Sequence, residues 1–126
     1  MKILYFEDNE QMAFLVSTLL KSHGYDVEHF ALGKPGLERF CKTFPVWDAV
    51  IMDLDLPDVP GMALISEIAE KRPTLPIVVY SGMSGMKEHF ELYSSGASAV
   101  VSKPGRGQDL LDVLEELIAT RSAPIN

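Results

Sequence analysis

The sequence predicts one α/β domain in which five strands, each followed by a helix, form a single parallel sheet with helices on both faces. Two observations predict it. Short apolar runs alternate five times with stretches whose apolar residues recur at helical spacing. Several of the runs contain no polar residue, the mark of strands covered on both faces, as parallel sheets are. A chain of 126 residues fits one such doubly wound domain. Right-handed crossovers and short connections leave few topologies, and a strand order of 2-1-3-4-5 suits the pattern best.

Each element has its own justification. Ile3-Leu4-Tyr5-Phe6 is an unbroken apolar run and reads as the first, central strand. Asn9 can cap the helix that follows, in which Met12, Leu15, Val16, Leu19 and Leu20 repeat at helical spacing before Gly24 stops it. Tyr25 to Phe30 places Asp26 and Glu28 on one face, as an edge strand would. Leu37, Phe40, Cys41 and Phe44 mark a second helix ended by Pro45, and the stripe makes Cys41 an expected core residue. Ala49-Val50-Ile51-Met52 is the next buried strand, followed by a turn-rich stretch from Asp53 to Gly61. Ile65, Ile68 and Ala69 mark a third helix. Ile77-Val78-Val79-Tyr80 is the fourth strand, closed by Ser81-Gly82. A more polar helix holding Met86, Phe90 and Tyr93 runs to Gly96. Ala99-Val100-Val101 is the last strand, and Leu110, Val113, Leu114, Leu117 and Ile118 mark the last helix.

Composition excludes several classes. Hydrophobic residues are 47%, too many for a disordered chain. No apolar run approaches the roughly 18–20 residues of a membrane span. Eleven Lys+Arg against 18 Asp+Glu give a net charge of −7, which argues against direct nucleic-acid binding. The N-terminus turns acidic too early for a secretory signal. With one cysteine, Cys41, no internal disulfide is available, and the expected compartment is the cytoplasm.

In open α/β sheets ligands bind beyond the carboxyl ends of the strands, near the point where strand order reverses. Following strands 1, 3, 4 and 5 there are Glu7-Asp8, Asp53 with Asp55 two residues on, Ser81, and Lys103. Each alone has an ordinary explanation: Glu7-Asp8 could favour a helix dipole, Asp55 could start the turn before Pro57, and Lys103 could be a surface lysine. Their convergence on one rim is what loop polarity does not predict. Clustered carboxylates raise one another's pKa unless a cation compensates. Oxygen donors select a hard ion, and Mg²⁺ suits a site with few carboxylates, several waters and a phosphate oxygen. Cys41 and the three histidines (His23, His29 and His89) lie on other elements, away from this rim, so no zinc site is expected. A carboxylate beside Mg²⁺ and a lysine is a plausible nucleophile towards phosphorus.

With these residues the chain resembles the receiver domain of two-component response regulators, a flavodoxin-like fold. Glu7-Asp8, Asp53 in DAVIMDLDLPDVPG, Ser81-Gly82 and Lys103-Pro104 carry the match, which runs from about residue 2 to about residue 120. The resemblance implies that Asp53 is the phosphoacceptor, taking a phosphoryl group from a histidine of a sensor kinase or phosphotransfer protein. It implies Mg²⁺ held directly by Asp8, mainly through water by Glu7, with Asp53 and the backbone carbonyl of Asp55 completing the metal set. Ser81 would be the hydroxyl that moves towards the phosphoryl group, Gly82 the small residue giving access, and Lys103 the phosphate-pairing lysine, aimed by a cis bond to Pro104. The output would be a changed surface on helix 4, strand 5 and helix 5. That face would meet a downstream target or output domain, or a second copy.

Two positions depart from the family pattern. Val100 stands where an aromatic switch residue is usual, three positions before the lysine, and Gly105 follows the proline in place of a bulky residue. The signal is therefore expected to run mainly through the Ser81–Gly85 loop and helix 4. Two other readings compete. Asp53-Leu54-Asp55 resembles the nucleophile and acid/base pair of haloacid-dehalogenase-type phosphatases, but Glu7-Asp8 precedes it where that family places its acidic pair last. A receiver-like interaction module that no longer uses phosphorylation is the other. The expectation is a switch and not an enzyme, with residues 1–121 as the domain and 122–126 as a tail or the start of a linker.

Overall fold

The computed structural model describes residues 1–82, 86–103 and 107–122, with the side chains of 86–89, 121 and 122 outside that description. The strands are β1 (Lys2–Phe6), β2 (Asp26–Phe30), β3 (Ala49–Met52), β4 (Ile77–Ser81) and β5 (Ala99–Ser102). The helices are α1 (Glu10–Ser22), α2 (Gly33–Thr43), α3 (Gly61–Lys71), α4 (Met86–Ser95) and α5 (Gly107–Ser122). The sheet has the order β2-β1-β3-β4-β5, with every pairing parallel. The two acids of β2 do mark an edge.

Alternate residues of each strand face opposite sides, and the core divides accordingly. Ile3, Tyr5, Ile51, Val78, Tyr80 and Val101 pack on one side against Ala13, Val16 and Leu20 of α1 and Leu110, Leu114 and Ile118 of α5. Leu4, Phe6, Val50, Met52, Ile77 and Val79 pack on the other against Phe40 of α2, Leu64, Ile65 and Ile68 of α3, and Leu92 of α4. Full burial of side chains such as these contributes roughly 1.5–3 kcal/mol each. Asn9 caps α1, its side chain accepting from the Met12 amide at 2.9 Å. Gly24 lets the chain leave α1 at φ +88°, a conformation that costs other residues energy.

Some core assignments change. Leu15 is 63% exposed, because the inward stripe of α1 is Ala13, Val16 and Leu20. Cys41 is exposed. The buried face of α2 is Gly33, Gly36 and Phe40, and Cys41 lies one residue around the helix from it. Phe44 leaves α2 for a short 3-10 turn and is exposed. Phe90 and Tyr93 of α4 are also exposed, and among the described side chains of α4 Leu92 is the buried one. Of the sequence expectations, the Lys103–Pro104 bond, residues 83–85 of the Ser81–Gly85 loop, Gly105 and residues 123–126 lie outside the described residues, as do the side chains of Met86 and His89.

Candidate metal centre

The register of the sheet assembles the site. Phe6 of β1 is paired with Met52 of β3, so the residues that follow, Glu7 and Asp53, leave the sheet side by side. Both are still tied to it: the Glu7 amide donates to the Phe30 carbonyl, and the Asp53 amide to the Phe6 carbonyl, each at 3.0 Å. Ser81 is paired with Ser102 at the ends of β4 and β5. The Lys103 amide donates to the Ser81 carbonyl at 2.8 Å, which carries the lysine to the same rim. Gly61 lets α3 start close by, since a Cβ there would lie 2.7 Å from the Leu54 Cα.

Glu7, Asp53 and Ser81 are the buried polar or charged residues among those described. One ligand oxygen each from Glu7, Asp8 and Asp53 lie within 4.8 Å of one another, and Asp8 is the exposed member. The Lys103 ammonium is 2.5 Å from Glu7 Oε1 and 3.6 Å from Asp53 Oδ2. The Asp55 amide donates to Asp53 Oδ1 at 3.2 Å, while the Asp55 side chain stays outside the cluster. The Asn9 amide reaches Glu7 Oε2 at 3.3 Å.

The electrostatics follow from crowding two buried carboxylates around one ammonium. Burial pushes the Glu7 carboxyl up to about 7, the neighbouring Asp53 adds to this, and Lys103 opposes it. Burial also pushes Asp53 up. The hydrogen bond from Glu7, the Asp55 amide and Lys103 outweigh it and hold Asp53 below the usual carboxylate range. The pair therefore keeps one proton near neutrality, on Glu7, and leaves Asp53 ionised. A buried carboxyl that still holds a proton near pH 7 marks a deficit of positive charge. Oxygen-only donors, one of them facing solvent, fit a hard divalent ion that retains water.

The structure brings together Glu7, Asp8, Asp53, Ser81 and Lys103 as the strand-end argument requires. It also shows neighbours that argument missed. His29 is not remote: its Nε2 lies 2.6 Å from the Glu7 carbonyl, because β2 flanks β1. Tyr5 places its hydroxyl 3.4 Å from Glu7 Oε1. The signal for Tyr5 is its position, two residues before Glu7 and so on the same face of the strand. The Lys103 ammonium also sits 5.2 Å from the centre of the Tyr80 ring. Val100 is half-buried against the α3–α4 side of the core.

Comparison with known proteins agrees with this geometry. The family model described as response regulator receiver domain matches residues 3–115. The chain is 26% identical over 118 residues to the cell cycle response regulator CtrA of Brucella ovis, a match covering 94% of this chain and 50% of that protein. It thus spans about half the length of the curated relatives it matches. A CheY-like response regulator receiver domain protein from Methanospirillum hungatei superposes with a TM-score of 0.88 at 25% identity, covering 95% of this chain and 94% of that one. A receiver domain from Clostridium thermocellum does so with a TM-score of 0.88 at 25% identity, covering 95% of each chain.

Proposed function

The chain belongs to the response regulator receiver domain family, and from that premise we propose that it is a phosphorylation switch with Asp53 as the acceptor. A carboxylate oxygen of Asp53 attacks phosphorus, the bond to a donor histidine nitrogen breaks, and the imidazole leaves with the electron pair. The carrying observation is that Asp53, although buried, is held ionised beside a lysine 3.6 Å away. Asp8 and Asp53 would hold Mg²⁺ directly, Glu7 mainly through water, and Asp55 through its backbone carbonyl. The ion would supply positive charge to the phosphoryl oxygens. Lys103 transfers its ammonium from Glu7 to a phosphoryl oxygen, Ser81 offers its hydroxyl to another, and Gly82 leaves room for the group.

The donor is a sensor histidine kinase or histidine phosphotransfer protein, and the cytoplasm is the compartment where it is met. The readout face is α4–β5–α5, where Phe90 and Tyr93 are exposed. That face would serve a downstream target, an output domain or a second copy. With Val100 in place of an aromatic residue, the signal runs chiefly through the loop after Ser81 and α4. Residues 1–121 form the switch and 122–126 a tail or linker. The test is incubation with Mg²⁺ and acetyl phosphate, followed by mass spectrometry. One phosphoryl group on the wild type and none on Asp53→Asn is expected. An unlabelled wild type, or label elsewhere than on Asp53, would overturn the reading.

A further inference from the structure

Tyr5 lies directly beneath the site and has no part in the chemistry just described. Its side chain is fully buried in the core between the sheet, α1 and α5. A buried phenol needs an acceptor, and among the described residues the acceptor recorded for Tyr5 is Glu7 Oε1. The same oxygen carries the Lys103 ammonium at 2.5 Å. The phenol stands at 3.4 Å, well outside the usual range for an O–H···O bond. Glu7 Oε1 thus has two donors, one close and one held back, and the close one is the lysine that phosphoryl transfer draws away. When Lys103 leaves, a buried carboxylate oxygen loses its strongest partner, and the phenol is the donor placed to replace it.

Resting on the receiver reading above, we propose that Tyr5 is a positioning residue for phosphoryl transfer: its hydroxyl takes over Glu7 Oε1 as Lys103 moves to the phosphoryl group. The carboxylate then keeps its orientation, with Oε2 still fixed by the Asn9 amide. The residue acts through Glu7 and touches neither the donor nor Asp53. Tyr80 is a different kind of neighbour. Its ring lies beneath the departing ammonium and offers Glu7 no recorded hydrogen bond.

The test is Tyr5→Phe, which removes the hydroxyl and keeps the ring. Calorimetric titration with Mg²⁺ alone is expected to show near wild-type affinity, because Lys103 still holds Glu7 Oε1 before phosphoryl transfer. The labelling rate by acetyl phosphate at saturating Mg²⁺ should fall roughly tenfold, the scale of one hydrogen bond to a charged group, because the hydroxyl is needed after the lysine has moved. In a Glu7→Ala background the same substitution should produce no further loss, since the carboxylate through which it acts is gone. Should Tyr5→Phe fail to fold by circular dichroism, Tyr5→Met carries the same expectations. A wild-type labelling rate in the folded variant, an equal loss in the Glu7→Ala background, or a Mg²⁺ affinity that falls as far as the rate would overturn the proposal. A wild type that neither binds Mg²⁺ nor takes label would instead overturn the reading of the site on which the proposal rests.

Discussion

Two ion pairs in this molecule live under opposite conditions. Arg39 of α2 grips Glu28 of edge strand β2 in a two-pronged contact, with Nε to Oε2 at 2.8 Å and Nη2 to Oε1 at 2.9 Å. Its side chains are 39% and 34% exposed. The hydrogen bonds between them lower the Glu28 pKa and raise that of Arg39, so each charge is stabilised by the other. At the rim, Lys103 is the one cation among the described residues paired with the two buried carboxylates of Glu7 and Asp53. There the Glu7 carboxyl is raised rather than lowered. The well-matched pair lies where water already solvates both partners, so it adds little. The mismatched set lies where water is excluded and the deficit of positive charge is felt in full. Good geometry at the edge fastens α2 to the sheet, while the unbalanced rim is prepared to exchange partners.

The contrast can be broken most severely at Asp53. Asp53→Asn should abolish labelling by acetyl phosphate, as read by mass spectrometry. Lys103→Ala should slow labelling by about 10²–10³-fold, the usual effect of losing one charged group that stabilises a transition state. The rate should be measured under Mg²⁺ saturation.

A smaller effect separates the two carboxylates by pH. Glu7 holds its proton to about pH 7 in the folded protein, against an ordinary 4.5. Between those values the folded state binds more protons than the unfolded chain. Metal-free stability should therefore fall as pH rises through that window, by at most about 3 kcal/mol. Glu7→Gln should flatten this limb in urea titrations at several pH values. Added Mg²⁺ should oppose it, because the ion competes with the proton. Glu28 predicts the reverse. Its pKa is lowered in the fold, so its contribution is present above its ordinary range and lost as pH falls through the lowered value. Glu28→Gln should cost the least, no more than about 2–3 degrees in the unfolding midpoint, and leave labelling unchanged.

The same two regions show what was legible in the sequence. The apolar strands, their order and the edge position of β2 follow from burial patterns alone, because a strand covered on both faces is almost wholly apolar until its end. The rim follows in turn from the strand ends. Helical stripes are less decisive. Spacing shows that a helix has an apolar side but not where that side is centred, so Leu15, Cys41 and Phe44 read as core and are exposed. The helices α1 and α2 turn Val16 and Phe40 inward instead. His29 and Tyr5 escaped notice for another reason. One is brought to the site by pairing across strands, and the other reads as an ordinary core residue until its hydroxyl is placed.

The pairing of Phe6 with Met52 makes the sheet a ruler for its own chemistry. A slip of one residue in β3 would turn every side chain of that strand to the opposite face. It would carry Asp53 away from Glu7 in the same movement that misplaced Val50 and Ile51. Any change that lets the core pack in a wrong register therefore dismantles the acidic cluster as well, and any that preserves packing preserves the spacing of the carboxylates. The molecule needs no separate device to measure the distance across its site, because the packing of β1 and β3 against the two layers of the core already fixes it.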